Sequence, residues 1–257
     1  MKIVTVDFNT YEKSIQKALD TIKAKDILLK QKNILIKPNL VNASFHPITT
    51  SPDCVDAIIK YIRSFSNSNI IVAEGCGDAD METDEIFDIL GYRKLTNNSN
   101  VELLDLNNAQ LKKLKKPNCK IFKEMYLPEI IFKSFIISVP VLKAHSLSTI
   151  TGSLKNMIGV APPKYYSGTY GIWKKAFFHN QIHDSITELN MYRSSDLTLM
   201  DASIGLKDHH LGGAQCNPIV NKIIAGYDPL EVDRKSADLL GLNWKNIKHL
   251  NSKGYNT

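Results

Sequence analysis

The chain contains a series of short runs rich in β-branched residues, and each run ends at a polar residue. NILIKPN, NIIVAEG, FIISVPVLK, LTLMDA and KIIAGYDP are predicted to end at Lys37, Glu74, Lys143, Asp201 and Asp228. Continuous apolar runs of this length are typical of strands that are buried on both faces, as in parallel sheets. This pattern limits the fold more than any other feature of the sequence.

Helical periodicity separates the apolar runs. Apolar residues recur at helical spacing over residues 10–30, 53–64 and 228–240. The alternation of strands and helices predicts an α/β fold with a largely parallel or mixed central sheet and flanking helices.

Two of the predicted helices have clear start signals. Ser51 precedes Pro52, and Asp228 precedes Pro229, in the order expected for an N-cap and a first helical residue. Gly241 is a natural end for the second helix. Asp228 is therefore interpreted as a helix cap and not as a catalytic group.

The length of the chain suits one large domain. Its 257 residues, 43% of them apolar, can bury a sizeable core without disulfides or structural metals. We expect a single α/β domain over residues 1–257, and the alternative is a two-lobed arrangement divided at a loop near 94–101. A second loop, predicted over residues 161–171, has the composition of a lid or a binding loop.

The formal net charge is +6, which allows either nucleic acid or a small anionic substrate as the ligand. The one dense basic run, Lys112, Lys113, Lys115 and Lys116, is interpreted as a solvated helix end or loop. Because the remaining charge is spread along the chain, we do not expect nucleic acid as the main partner.

The four cysteines at positions 54, 76, 119 and 216 contain no C-x-x-C pair, so no iron–sulfur cluster or zinc ribbon is expected. Their spacing suits reduced thiols in a cytoplasmic protein. No apolar stretch approaches the roughly 20 residues that a membrane span requires, so no membrane association is predicted.

Polar side chains gather where the predicted strands end. Ligands of open α/β sheets bind beyond the carboxyl ends of the strands, and a buried anion needs several charge-assisted donors. We therefore predict that Lys37, Asn39 and Asn156 bind an anion. The first amide groups of the helix after GSLKN are expected to strengthen this attraction.

The stretch SVPVLKAHSLSTITGSLKN is predicted to carry the catalytic groups His145, Lys143 and Lys155. A lysine crowded by other cations loses proton affinity and can act as a general base, and a histidine can move protons. A Ser153–Lys155 hydrolytic pair is a weaker alternative. No P-loop or G-x-S-x-G motif is present.

His179 and His183 are four residues apart, which places them on one face if both lie in one helix. With Asp201 they are predicted to hold a divalent metal ion that assists the reaction. The alternative is a solvated helix that carries two histidines and binds no metal.

Five segments together resemble the DUF362 family, a domain of unknown function in bacteria and archaea. They are ILIKPNLV, PVLKAHSLSTITGSLKNMIG, the histidine pair, LTLMDASIGL and GYDPLEVDRKSADLLGL, and the resemblance covers roughly residues 33–250. The organisation is also loosely similar to that of lactate-racemase-like proteins.

The resemblance adds one functional alternative. Members of the family are often fused to a ferredoxin-like module with two iron–sulfur clusters, so the resemblance implies a redox accessory protein that partners an iron–sulfur protein. We expect this chain to be a stand-alone member without that module. The family's glycine-rich segment appears here as GLKDHHLGGAQC, in which Leu206 replaces Met and His209 and His210 are added.

The prediction from the sequence is an enzyme that acts on a small carboxylate or phosphate in a site lined by lysine, asparagine and histidine, with a divalent metal ion as the candidate cofactor. The alternatives are the redox accessory protein and a basic nucleic-acid-binding protein.

Overall fold

The computed structural model describes residues 3–168 and 172–251. The strands are β1 (Ile3–Asp7), β2 (Asn33–Pro38), β3 (Asn69–Glu74), β4 (Val101–Asp105), β5 (Leu111–Lys115), β6 (Glu124–Pro128), β7 (Phe135–Val139), β8 (Val141–His145), β9 (Thr149–Thr151), β10 (Leu197–Leu206) and β11 (Lys222–Gly226).

The helices flank these strands. They are α1 (Tyr11–Thr21), α2 (Ala24–Leu28), α3 (Pro52–Arg63), α4 (Thr83–Ile89), α5 (Ser153–Asn156), α6 (Pro163–Tyr166), α7 (Ile182–Tyr192) and α8 (Pro229–Leu239). Short 3-10 helices cover Tyr92–Asn97, Glu129–Phe132, Met157–Val160, Ala176–Gln181, Trp244–Asn246 and Lys248–Leu250.

Nine strands within the described ranges form one mixed sheet, in the order β1-β11-β10-β7-β2-β3-β4, with β8 and β9 attached beside β10. The neighbours from β10 to β4 are parallel, whereas β11 is antiparallel to both β1 and β10. The predicted α/β fold with a largely parallel or mixed sheet and flanking helices is therefore confirmed.

The apolar runs form buried strands because helices cover both faces of the sheet. On one face α1 and α3 contribute Ile15 and Ile58, which pack in a core with Ile34 of β2. On the other face α7 contributes Leu189, which belongs to a second core with Leu35 of β2. Successive residues of one strand thus enter different cores, as expected for a strand buried on both sides. Since both cores share one sheet, we propose that residues 1–257 form one domain.

Three predicted strand ends are wrong by two residues or more. The strand in KIIAGYDP ends at Gly226 and not at Asp228. The run FIISVPVLK is two strands, because Pro140 separates β7 from β8 and cannot donate a ladder hydrogen bond. The run LTLMDA does not end at Asp201, because β10 continues to Leu206.

Helix boundaries largely follow the sequence signals. Ser51 accepts a hydrogen bond from the backbone of Asp53, Asp228 caps α8, and Gly241 lies beyond that helix with a φ of +71°. Because Asp228 follows the antiparallel strand β11, it also lies away from the carboxyl ends of the parallel strands.

Three predictions about irregular segments need correction. Residues 10–30 contain two helices, α1 and α2, and residues 94–97 belong to a 3-10 helix. Within 161–171, Pro163–Tyr166 is helical, and residues 169–171 lie outside the described residues. The basic run at 112–116 lies mostly in β5 and not in a helix end.

The sheet reverses its direction of growth between β2 and β7. From β2 the chain proceeds to β3 and β4 on one side, whereas β7 lies on the other side of β2 and leads towards β10. Chain connections diverge at such a point and leave a crevice beyond the carboxyl ends of the two strands. No helix in the described part of the chain has both the length and the apolarity that a membrane span requires.

Candidate active site

A cavity of about 430 Å³ opens beyond the carboxyl ends of β2, β3 and β8. It lies at the crevice between β2 and β7, since β8 continues the path of β7. All the residues predicted to bind the anion or to perform catalysis line this cavity, namely Lys37, Asn39, Lys143, His145, Lys155 and Asn156. We call it the lysine cavity.

Lys37 forms a buried ion pair with Glu74, which ends β3. The Lys37 Nζ lies 3.0 and 2.9 Å from the two carboxylate oxygens of Glu74. Burial lowers the pKa of Lys37, and the Glu74 charge opposes this shift. The backbone amides of Leu40 and Gly75 also donate to Glu74, so hydrogen bonds from the protein stabilise the charge of this carboxylate.

The two asparagines orient lysines. Asn156 Oδ1 accepts from Lys37 Nζ and from Asn39 Nδ2, each at 3.2 Å, while Asn156 Nδ2 donates to Ser138 Oγ. Asn39 Oδ1 accepts from Lys143 Nζ at 2.7 Å. Both side-chain amides are thus engaged in hydrogen bonds within the protein, and each accepts from one lysine of the cavity.

Lys143 is buried, and no carboxylate in the described part of the chain pairs with it. Its Nζ donates to Asn39 Oδ1 and to the carbonyl oxygen of Ile48, at 2.7 and 2.6 Å. Burial, and then the charge of Lys155, lower the pKa of Lys143 to about 7. This lysine can therefore exchange a proton near neutral pH.

Lys155 lies in α5, which the β8–β9 hairpin brings back to the cavity. It is half-buried, and its Nζ makes no hydrogen bond or ion pair with any other described residue. Burial, followed by the charge of Lys37, lowers the pKa of Lys155 to about 8. Its ammonium group is thus the least compensated charge of the cavity.

The predicted contribution of helix amides to anion binding is wrong. The first amides of α5, those of Ser153 and Leu154, donate to the carboxylate of Asp233 at 2.6 and 3.0 Å. Asp233 is fully buried, and burial raises its pKa to about 7. The start of α5 is therefore occupied by a side chain from α8.

Lys175 is a cavity lysine that the sequence did not reveal. Its buried Nζ donates to Asn107 Oδ1 and to the carbonyl oxygen of Gly159, at 2.9 and 2.8 Å. Burial lowers its pKa to about 7, although Glu74 opposes the shift. The adjacent Lys174 instead pairs with Glu82. No local pattern distinguishes these two lysines, because only the fold decides which one points inward.

Four histidines also line the cavity, and three of them are kept neutral. His145 Nδ1 accepts from the amides of Leu147 and Ser148, so the neutral ring carries its proton on Nε2. Burial, and then Lys155, lower the pKa of His145, and the same causes lower that of His210 to about 3. The His210 ring stacks on His145 at a centroid distance of 3.8 Å.

The other cavity histidines lie beside this stack. His179 lies 6.4 Å from His145 between ring centroids, and burial followed by Lys155 lowers its pKa. His209 contacts His210 at 4.9 Å. Both His209 and His210 come from the segment GLKDHHLGGAQC, the one place where the sequence showed inserted histidines.

The structure does not bring His179, His183 and Asp201 together. His179 belongs to the 3-10 helix Ala176–Gln181, so the one-helix premise for the pair is wrong. His183 Nδ1 lies 2.7 Å from His249 Nδ1, outside the cavity lining. Across residues 3–168 and 172–251, no group of three or more His, Cys, Asp or Glu side chains is arranged to hold a metal ion.

Asp201 lies in a different cluster, which we call the aspartate cluster: Tyr11, His46, Asp201 and Ser203. Tyr11 Oη and Ser203 Oγ lie 2.8 and 2.7 Å from its carboxylate, and His46 Nε2 lies 3.2 Å away. Burial alone would raise the pKa of Asp201, but His46 and Ser203 lower it below its usual range.

Two glycines allow the cavity to be this crowded. A Cβ on Gly159 would overlap Glu74 Oε1 and lie 2.5 Å from Lys37 Nζ. A Cβ on Gly75 would overlap the Asn107 side chain and lie 2.8 Å from Lys175 Nζ. The glycine of the KNMIG segment is therefore required by the close approach of the ion pair.

The cavity lining is strongly cationic. Among the described residues the lining includes one carboxylate, Glu74, and the lysines at 37, 143, 155 and 175. Since Glu74 is committed to Lys37, the remaining lysines favour the entry of an anion.

Residues 34–238 match DUF362, a domain of unknown function. The structure of the lactate racemase apoprotein from Thermoanaerobacterium thermosaccharolyticum is similar, with a TM-score of 0.59 and 13% sequence identity. The likeness covers 91% of this chain and 56% of that chain, so this chain spans about half the length of that protein. At this identity the likeness concerns the fold alone. No curated protein matches the sequence significantly.

Proposed function

The chain belongs to the DUF362 family, and we propose that it is an enzyme that binds a small anionic substrate, a carboxylate or a phosphate, in the lysine cavity. The observation that carries this proposal is the state of Lys155. Its ammonium group borders the cavity and has no partner among the described residues.

An uncompensated cation in a partly buried site is costly unless a ligand supplies the opposite charge. Lys143 and Lys175 add to this cost, because the hydrogen bonds that each buried ammonium group forms with described residues go to neutral oxygens. An anion that reached these ammonium groups would replace a repulsive arrangement by several charge-assisted hydrogen bonds. Binding would also raise the pKa values of the lysines, so the site would take up protons.

The proposed reaction involves proton transfer. Lys143, with a pKa of about 7, would serve as the general base or acid, and Lys155 would hold the anionic group. His145 donates only from Nε2, because Nδ1 accepts backbone amides, and as a neutral ring it would orient and polarise a substrate oxygen by a hydrogen bond. Lys37, Asn39 and Asn156 would keep these groups in place.

The fold likeness supports the choice of carboxylates as the first substrates to examine. The similar structure is that of a lactate racemase, an enzyme of a 2-hydroxy carboxylate. The redox accessory and nucleic-acid-binding functions stay predictions, and no contact in the described residues favours either. The cytoplasmic location likewise stays a prediction, and the divalent metal ion stays a prediction without an assigned site, because the described residues do not bring its predicted ligands together.

Calorimetric titration of the wild-type protein with acetate, lactate and inorganic phosphate tests the proposal. We expect saturable binding of at least one anion, weakened about tenfold or more by Lys155→Met, as is usual for a lost charge-assisted interaction. Lys30→Met is the matched control, because Lys30 is exposed and precedes the amino end of β2. Equal affinities in wild type and Lys155→Met would overturn the proposal.

A further inference from the structure

The lysine cavity has an apolar part as well as a cationic one. Its larger apolar lining residues, which we call the apolar wall, are Leu40, Val41, Leu147, Ile158, Trp173 and Leu211. Two of them keep part of their surface accessible, since Leu147 is 54% and Trp173 is 36% exposed. By contrast, Lys37 and Lys143 are at most 1% exposed. Lys37 and Lys143 thus lie inward, whereas Leu147 and Trp173 extend towards the surface.

In two segments of the chain, an exposed apolar residue lies two positions from a polar residue that lines the cavity. Leu147 follows His145 by two residues in the β8–β9 hairpin, and Trp173 precedes Lys175 by two residues. Both exposed apolar side chains line the same cavity as these inner polar groups, so a ligand bound there can contact both kinds of side chain. Apolar side chains that line a binding cavity and keep accessible surface are groups that a ligand with an apolar part can cover.

The cavity is also larger than a simple anion requires. A carboxylate with six non-hydrogen atoms, at roughly 30 Å³ for each water-sized unit, would fill less than half of such a space. The cavity volume of about 430 Å³ lies in the range of pockets that enclose much larger ligands.

We propose that the substrate is an amphiphilic anion, with a carboxylate or phosphate head at the lysines and an apolar body against the apolar wall. This inference rests on the proposed function, because the head group uses the same lysines. It adds that the apolar body contributes affinity and that Leu147 and Trp173 determine the specificity for it.

A series of straight-chain carboxylates from acetate to octanoate tests the inference by calorimetry or ligand-observed NMR. Each methylene group that enters the apolar wall is expected to improve the affinity by up to about fourfold. The double variant Leu147→Ser/Trp173→Ser should lose most of this dependence on chain length and keep its affinity for acetate. Ile219→Ser is the control, since Ile219 is 50% exposed and does not line the cavity.

The outcomes separate this inference from the proposed function. If acetate and octanoate bind equally well, and Lys155→Met weakens both, the apolar wall has no role and only this inference fails. If octanoate binds equally well to wild type and Lys155→Met, the head group does not use the lysines, and both proposals fail. A chain-length dependence that the double variant retains would also overturn the inference.

Discussion

The lysine cavity and the aspartate cluster both contain buried charged residues of the central sheet. They differ in how far these charges are stabilised by partners within the protein. In the aspartate cluster one carboxylate receives hydrogen bonds from Tyr11 and Ser203 and contacts His46. In the lysine cavity Lys143 and Lys175 have only neutral acceptors, and Lys155 has no partner in the described part of the chain.

The difference separates a structural charge from a binding charge. A buried charge whose hydrogen-bonding capacity is filled from within the fold contributes to stability and leaves nothing for a ligand. A set of like charges beside a cavity lowers stability until an opposite charge enters. One loop serves both regions, because Ile48 accepts from Lys143 while His46 contacts Asp201. Substitutions in the two regions should therefore affect stability and anion affinity differently.

The largest effect is expected for Gly159→Ala. The new methyl group would displace Glu74 or Lys37, which are both buried, so the free energy of unfolding should fall by about 3 kcal/mol. Urea denaturation measures this change. Gly77→Ala is the matched control, because a Cβ there would meet Val41 at an ordinary 3.6 Å. Similar stabilities for the two variants would contradict the close approach of the ion pair.

Asp201→Asn should destabilise the protein and spare anion binding. The amide keeps the shape of the side chain but removes the negative charge that accepts hydrogen bonds from Tyr11 and Ser203. We therefore expect a loss of about 2 kcal/mol in the free energy of unfolding. Denaturation and anion titration are both measured on this variant. A loss of anion affinity with unchanged stability would assign Asp201 to the binding site and remove the contrast between the two regions.

Lys155→Met should have the opposite pair of effects. Anion affinity should fall about tenfold, equivalent to about 1.4 kcal/mol, while the unfolding free energy without ligand stays unchanged or rises by about 1 kcal/mol. The rise is modest because Lys155 is only half-buried. A clear loss of stability in the absence of anions would show that Lys155 has a structural role.

Anion affinity should depend on pH in the direction set by the lysines. Because the anion binds the charged form, affinity should fall as the pH rises past the pKa of Lys155, about 8, by about tenfold between pH 7 and 9. Titrations in buffers with different ionisation enthalpies should show proton uptake on binding. Affinity that is constant over this interval would mean that the lysines stay charged without a ligand.

His46→Gln should have the smallest effect. The His46 side chain is 19% exposed where it contacts Asp201, so its loss should cost about 0.5 kcal/mol in unfolding free energy. Thermal denaturation at matched protein concentration measures the shift. A loss as large as that of Asp201→Asn would show that His46 is essential to the aspartate cluster.

The sheet and most of its helices were predictable because their signals are local. A continuous apolar run such as NIIVAEG encodes a buried strand within seven residues, and Ser51 or Asp228 marks a helix start through its own side chain. The end of β10 was wrongly predicted at Asp201. No local signal ends the strand there, and pairing with β11 continues past this residue.

The candidate site was predictable only in part, for the same reason. Lys37 and Lys143 lie near the ends of predicted strands, and Lys155 lies in the segment that follows one of them. Their convergence at one edge of the sheet could therefore be expected from the sequence. Lys175 could not be distinguished from Lys174, and the single-helix assumption for His179 and His183 failed at the junction between two helices.

The sequence by itself determined the α/β alternation, the family resemblance and the cationic character of one edge of the sheet. The tertiary structure decided which charges are satisfied, because partners such as Asn39 and Lys143, or Asp233 and Ser153, lie about 80 to 104 residues apart in the chain. Local propensity acts over a few residues, whereas the cost of burying a charge depends on every group that the fold places around it.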